Sequence, residues 1–94
     1  MVIGVCTLNL QVPASQSLKD KRRVLRALES RIRNAFNVSV AEVDHQDSWQ
    51  LATVAVACVA TDRAYADGLL GRVVAFVQDA HLDLVLLDYE TELL

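Results

Sequence analysis

The side chains best suited to chemistry in this chain of 94 residues fall in two places. The first is Glu42, Asp44, His45 and Asp47. Carboxylates and an imidazole so close together could hold a divalent metal or exchange protons. The same residue types also favour tight turns, because Asp side chains hydrogen-bond the neighbouring backbone. A turn is the preferred reading, and these four are only weak candidates for metal ligands.

The second place is a run of cations. Lys19, Lys21, Arg22, Arg23, Arg26, Arg31 and Arg33 make up seven of the nine Lys and Arg residues. Residues 17–36 carry seven cations against two carboxylates, while residues 37–94 carry two against ten, so the net charge of −3 conceals a segregation. The acidic balance argues against a protein that coats nucleic acid generally, but it leaves room for one basic face. Lys19 and Lys21 fall in the first turns of an expected helix, where cations oppose the helix dipole. An anion bound there, beside Ser15, Ser17 and free backbone N–H groups, would account for the placement. RNA phosphate is the polymeric anion that fits. The candidates for nucleic-acid contact are Lys19, Lys21, Arg22, Arg23, Arg26 and Arg33. The alternative is a solvated helix face, or cations paired with carboxylates elsewhere, a partner subunit's included. Lys21 points towards the apolar side of the wheel and could instead lie along the core edge.

No nucleophile and base pair up in the sequence, so no catalytic residue is assigned, and no cofactor motif is present. Trp49 reads as a packing residue. His81 falls at the end of the second helix, where a cation is favourable. Cys6 and Cys58 lie in expected strands and read as buried free thiols of a reducing compartment.

The elements that must hold these residues follow from periodicity. Val2 to Val12 alternates as a strand, apolar on both faces in its first half, and Pro13 ends it. Ser17 is a plausible N-cap, with Asp20 completing a weak capping box. From Leu18 a helix places Leu18, Leu25, Leu28, Ile32, Ala35 and Phe36 on one face, with Lys19, Arg22, Arg23, Arg26 and Arg33 opposite. Asn37 is expected to end it in the left-handed conformation. Val38–Val43 and Trp49–Ala60 read as two strands joined by the turn cluster into a hairpin. Thr61 or Asp62 caps a second helix with Tyr65, Leu69, Val73, Phe76, Val77 and Ala80 on its inner face. Leu82 to about Thr91 reads as the last strand.

The order β-α-β-β-α-β closes into an α+β, ferredoxin-like sandwich: one domain over residues 1–94, with a four-stranded antiparallel sheet and two helices on one face. The other sheet face has no cover within the chain. With 53% apolar residues, a small domain is expected to bury that face, or a sheet edge, against a second copy. Small acyl-phosphate hydrolases of this fold need a Gly-rich loop with an Arg after the first strand, and Gln11–Ser17 has neither. Metal-carrying members need a Cys-x-x-Cys there, which is missing. RNA-recognition domains stack bases on aromatics of the central strands, and only Trp49 comes near. No apolar run is long enough to span a membrane, and the opening residues do not resemble a secretory signal, so a cytoplasmic protein is expected.

Ser17-Leu18-Lys19-Asp20-Lys21-Arg22-Arg23 resembles the opening motif of the YlxP-like family, small bacterial proteins of unknown function. Phe36–Val43 with Asp44–Gln50 resembles that family's second signature, and the likeness runs along essentially the whole chain. The resemblance implies a ferredoxin-like fold, a cytoplasmic setting and, through the genes that commonly neighbour this family's, a role near RNA or ribosomes. It implies no catalytic residues. The function expected is a non-enzymatic accessory factor for structured RNA or a ribosomal subunit. The alternatives are metal or small-molecule binding at the hairpin, and a regulatory dimer contacting another protein through its acidic surface.

Overall fold

A computed structural model describes residues 1–94 in the order β1 (Val2–Gln11), α1 (Leu18–Ala35), β2 (Ser39–Asp44), β3 (Leu51–Ala60), α2 (Arg63–Gln78) and β4 (Val85–Leu93). The four strands form one sheet in the order β2-β3-β1-β4, with every neighbouring pair antiparallel. This is the ferredoxin-like α+β arrangement that the element order predicts.

The pleat sorts β1 and β3 into two faces. Val2, Gly4, Cys6, Leu8 and Leu10 are buried, and so are Ala52, Val54, Val56 and Cys58 opposite them. Leu25, Leu28 and Ile32 of α1 and Ala66, Leu70 and Val73 of α2 join them in one core. Each large apolar side chain so buried contributes about 1.5–3 kcal/mol. Both thiols are free and buried. Burial pushes the Cys6 thiol above its usual pKa, although a hydrogen bond with Thr91 draws it partly back.

Gly4 lies beneath Leu70 of α2. A Cβ there would lie 2.9 Å from Leu70 Cδ1, 3.1 Å from Cys58 Sγ and 3.3 Å from Leu93 Cδ2. Gly4→Ala is therefore expected to destabilise the fold by about 1–3 kcal/mol through overpacking. Urea unfolding would read this as a lower midpoint at unchanged slope.

Several boundaries differ from expectation. β3 begins at Leu51 rather than Trp49, whose side chain is exposed. β2 runs through Asp44, with a bulge after Glu42, and β4 begins at Val85 rather than Leu82. α1 ends without a left-handed residue. Phe36 is extended (φ −137°) and gives its N–H to Ile32 O, while its ring packs edge-on against Phe76 at 5.4 Å. That contact draws the chain off the helix, so Asn37 is not needed as a cap. Asp62 caps α2. Tyr65 is exposed, and the buried arc of α2 instead takes in Ala66, Leu70 and Val74.

Candidate functional site

α1 presents the cations, and its start is fixed locally. Ser17 Oγ accepts the Asp20 N–H at 3.0 Å, and Asp20 Oδ2 accepts the Gln16 N–H at 3.2 Å. The chain's own carboxylate thus occupies the helix N-terminus. Ser15 is buried, and its hydroxyl donates to Ser17 O at 2.8 Å. These groups satisfy the Gln16 and Asp20 N–H donors and the Ser15 hydroxyl at the place where an anion is expected.

Lys21 does not belong to the basic face. Its side chain is fully buried, at 0% exposure. It reaches under the hairpin between β2 and β3, and its Nζ donates to His45 O at 2.8 Å and Leu51 O at 3.0 Å. Glu42 Oε2 lies 3.0 Å from the same nitrogen as an ion-pair contact and accepts no hydrogen bond. An ammonium has three protons, and three oxygens surround this one. The reading of Lys21 as a phosphate contact is corrected, because its charge is spent on tying α1 to the hairpin.

Lys19, Arg22, Arg23 and Arg26 remain on the exposed side of α1. Arg23 lies 3.4 Å from Asp20, an exposed pair of little energetic weight. Lys19, Arg22 and Arg26 have no carboxylate within 4.0 Å. Arg33 is half exposed and partly committed, donating to Val40 O at 2.8 Å and lying 3.8 Å from Glu29. Arg31 donates to Ala80 O, just past the end of α2, where a cation suits the helix dipole.

Behind this row, Arg22, Leu25, Arg26, Glu29 and Glu42 line an open hollow of about 220 Å³ between α1 and β2. Burial lifts the Glu29 carboxyl above the usual carboxylate range. Arg33 opposes the shift, Glu42 adds to it, and Arg26 opposes it more weakly. A carboxyl with a raised folded-state pKa favours folding only while it is protonated. That contribution is fully present below the unfolded pKa of about 4.3 and is lost as pH rises through the folded value. Glu29→Gln is therefore expected to be more stable than wild type at pH 7, with the gap closing below about pH 4. Paired urea titrations at the two pH values would check this, and equal stability at pH 7 would refute it.

The hairpin residues do not gather into a metal site. Glu42 faces α1 and Lys21. Asp44 Oδ1 accepts the His45 N–H at 2.7 Å, and His45 takes the left-handed conformation (φ 61°). The Ser48 N–H closes the turn on His45 O at 3.0 Å, and Ser48 Oγ accepts the Leu51 N–H at 3.0 Å. No three His, Cys, Asp or Glu side chains converge anywhere in the fold. Asp44, His45 and Ser48 make and fasten the turn, while Glu42 faces the helix. His81 also adopts a left-handed backbone (φ 53°), after the end of α2, and is exposed.

Sequence reasoning missed the part played by Glu42 and Glu29 beside the basic face. The available signal was Glu42 alternating with Val40 on the inward side of β2, opposite a lysine on the apolar side of the helix wheel. Neither helix is long and apolar enough to cross a membrane.

A family model described as "Protein of unknown function (DUF503)" matches residues 3–91. The chain is 37% identical over 76 residues to "Uncharacterized protein YlxP" of Bacillus subtilis (strain 168), covering 81% of this chain and 83% of that one. Among solved structures it is similar in fold to the "De novo designed protein Foldit4", with a TM-score of 0.50, 14% identity, and coverage of 98% of this chain and 96% of that one.

Proposed function

We propose that this chain, which belongs to the DUF503 family of proteins of unknown function, is a cytoplasmic, non-enzymatic accessory factor that binds structured RNA or a ribosomal subunit through the exposed face of α1. The observation that carries this reading is the unpaired state of Lys19, Arg22 and Arg26 on one helix face of an otherwise acidic protein. Three free cations on one rigid element are worth little to stability. They suit a polyanion that brings its own charge. Arg23 stands beside them, and Arg33 lies further along the helix.

Arg22 and Arg26 are one helical turn apart, about 6 Å along the axis, on the rim of the same hollow. Contacts of this kind neutralise phosphates and position a protein without reading sequence. Affinity should therefore fall steeply with salt. Three to four phosphate contacts predict a loss of roughly 20- to 150-fold between 50 and 200 mM salt.

Co-sedimentation with ribosomal subunits from the source cell, at low and high salt, tests the reading. Salt-sensitive co-migration with one subunit is the expected result. No co-migration at low salt, together with no retention on structured RNA, would overturn it.

A further inference from the structure

The hollow between α1 and β2 holds more than phosphate binding needs. Phosphates would engage its two rim arginines, Arg22 and Arg26, but not the carboxylates beside them. Glu42 turns its buried Oε2 to the Lys21 ammonium, so the hairpin uses it. Glu29 has no such employment. Its side chain is only 16% exposed, and Arg33 stays 3.8 Å away while donating to Val40 O. No N–H or O–H of the chain reaches its oxygens. A largely buried carboxylate without a donor costs stability. Burial accordingly lifts the Glu29 carboxyl in spite of Arg33. Glutamine would fill the same place without that cost.

We propose that Glu29 accepts the Watson–Crick edge of an unpaired guanine, whose phosphates are held by Arg22 and Arg26 on the rim of the hollow. The phosphate contacts rest on the function proposed above for α1, and the base contact is added to it.

Donor chemistry selects the base. An ionised carboxylate only accepts hydrogen bonds, through two oxygens side by side. Guanine presents two donors side by side, N1–H and the 2-amino group. Adenine and cytosine place a ring-nitrogen acceptor beside their amino group, and its lone pair would face a carboxylate oxygen. Uracil offers one N–H between two carbonyl oxygens. In a duplex the guanine edge is already paired, so the nucleotide comes from a loop or bulge, or arrives free.

The surroundings suit this occupant. The hollow of about 220 Å³ equals the liquid volume of about seven waters, room for one base and not for a base pair. Leu25 gives it an apolar wall, and a guanidinium of Arg22 or Arg26 can lie flat on a base. A divalent cation would find no third ligand here, and would meet Arg22, Arg26 and the Lys21 ammonium. A lysine or arginine of a partner protein would meet the same repulsion. A base carries donors without positive charge.

The test compares heptanucleotides of uridine with guanosine, inosine or adenosine in the middle, by fluorescence anisotropy at one salt concentration. Wild type should prefer guanosine to adenosine by about 5- to 150-fold, the usual worth of one bidentate base contact. Inosine lacks the 2-amino group and should fall between them. Glu29→Gln should lower guanosine to the level of adenosine and leave the affinity for the adenosine strand, with its salt dependence, unchanged. This variant is expected to be the more stable protein at pH 7, so its loss of preference cannot come from unfolding. Equal affinity of wild type for the guanosine and adenosine strands, or a preference that survives in Glu29→Gln, overturns the base contact while salt-sensitive binding keeps the function proposed for α1. Binding to none of the strands, with GMP raising the melting temperature of wild type but not of Glu29→Gln and AMP raising neither, would assign the hollow to free guanine nucleotides and remove RNA as the ligand of α1. No response to strands or mononucleotides overturns both.

Discussion

Replacing Lys21 by methionine is expected to lower the unfolding free energy by about 3 kcal/mol, a large share of the stability of a domain this size. Methionine keeps most of the volume and removes the charge. Glu42 Oε2 then stays buried with no counter-charge, and the carbonyls of His45 and Leu51 lose their donor. Removing one partner of a buried pair costs more than the pair contributes, because the other partner remains in place. Replacing Glu42 by methionine in the same chain should recover part of the loss. Melting should fall by roughly 12–24 °C in the single variant, at about 4–8 °C per kcal/mol. Arg22→Met is the control. It changes the neighbouring, exposed cation and should stay within about 0.5 kcal/mol of wild type. A Lys21→Met midpoint as close to wild type as that of Arg22→Met would show that the ammonium does not hold the hairpin. At temperatures where it is folded, Lys21→Met should bind RNA as wild type does, because its charge never faces solvent.

Charge reversal at Arg22 and Arg26 should do the opposite. Both side chains are exposed and free of carboxylate partners, so Arg22→Glu with Arg26→Glu should leave the fold intact. Binding to the ribosomal subunit, or to structured RNA, should fall by about a hundredfold or more at low salt. Two phosphate contacts are lost, and two carboxylates replace them. The salt dependence carries a second signature. The slope of log K against log salt should shrink by about 1.4–1.8, since each contact supplies about 0.7–0.9. Binding curves at three or four salt concentrations would measure both. Unchanged affinity in the double variant would remove α1 as the contact surface. A lower affinity at an unchanged slope would mean that the loss has another cause.

The fold was legible because both periods are clean. Cys6, Leu8 and Leu10 alternate with Thr7, Asn9 and Gln11, and Leu25, Leu28 and Ile32 recur at helical spacing. Boundaries were less legible where pairing decides them. Leu82-Asp83-Leu84 alternates as well as any strand, yet β4 begins at Val85 because that residue meets Gln11, the last residue of β1. Pro13 offers no N–H beyond it. Trp49 likewise lies before the first paired residue of β3.

The candidate site was half legible. A helix wheel separates exposed cations from core and already turned Lys21 inward. It cannot reveal that two carbonyls and a carboxylate wait there, because these lie 24, 30 and 21 residues away in the chain. The commitment of Arg33 to Val40 O was hidden for the same reason. Which cations are free is a tertiary property: of those the wheel placed outward, Arg23 meets Asp20 and Arg33 meets Val40 O and Glu29, while Lys19, Arg22 and Arg26 have no such partner.

The place of β1 in the sheet also governs how the chain reaches this state. β1 comes first in the chain yet lies inside the sheet. Cys6 pairs with Val56 on one side and with Thr91 on the other. During synthesis β1 must therefore wait, with both hydrogen-bonding edges empty, until β3 and then β4 have been made. Pairings so distant in sequence close slowly, because the loop entropy is spent before the contacts form. Until then an apolar strand with open edges is a template for the wrong partner. Slow refolding after dilution from denaturant is the expected measurable consequence.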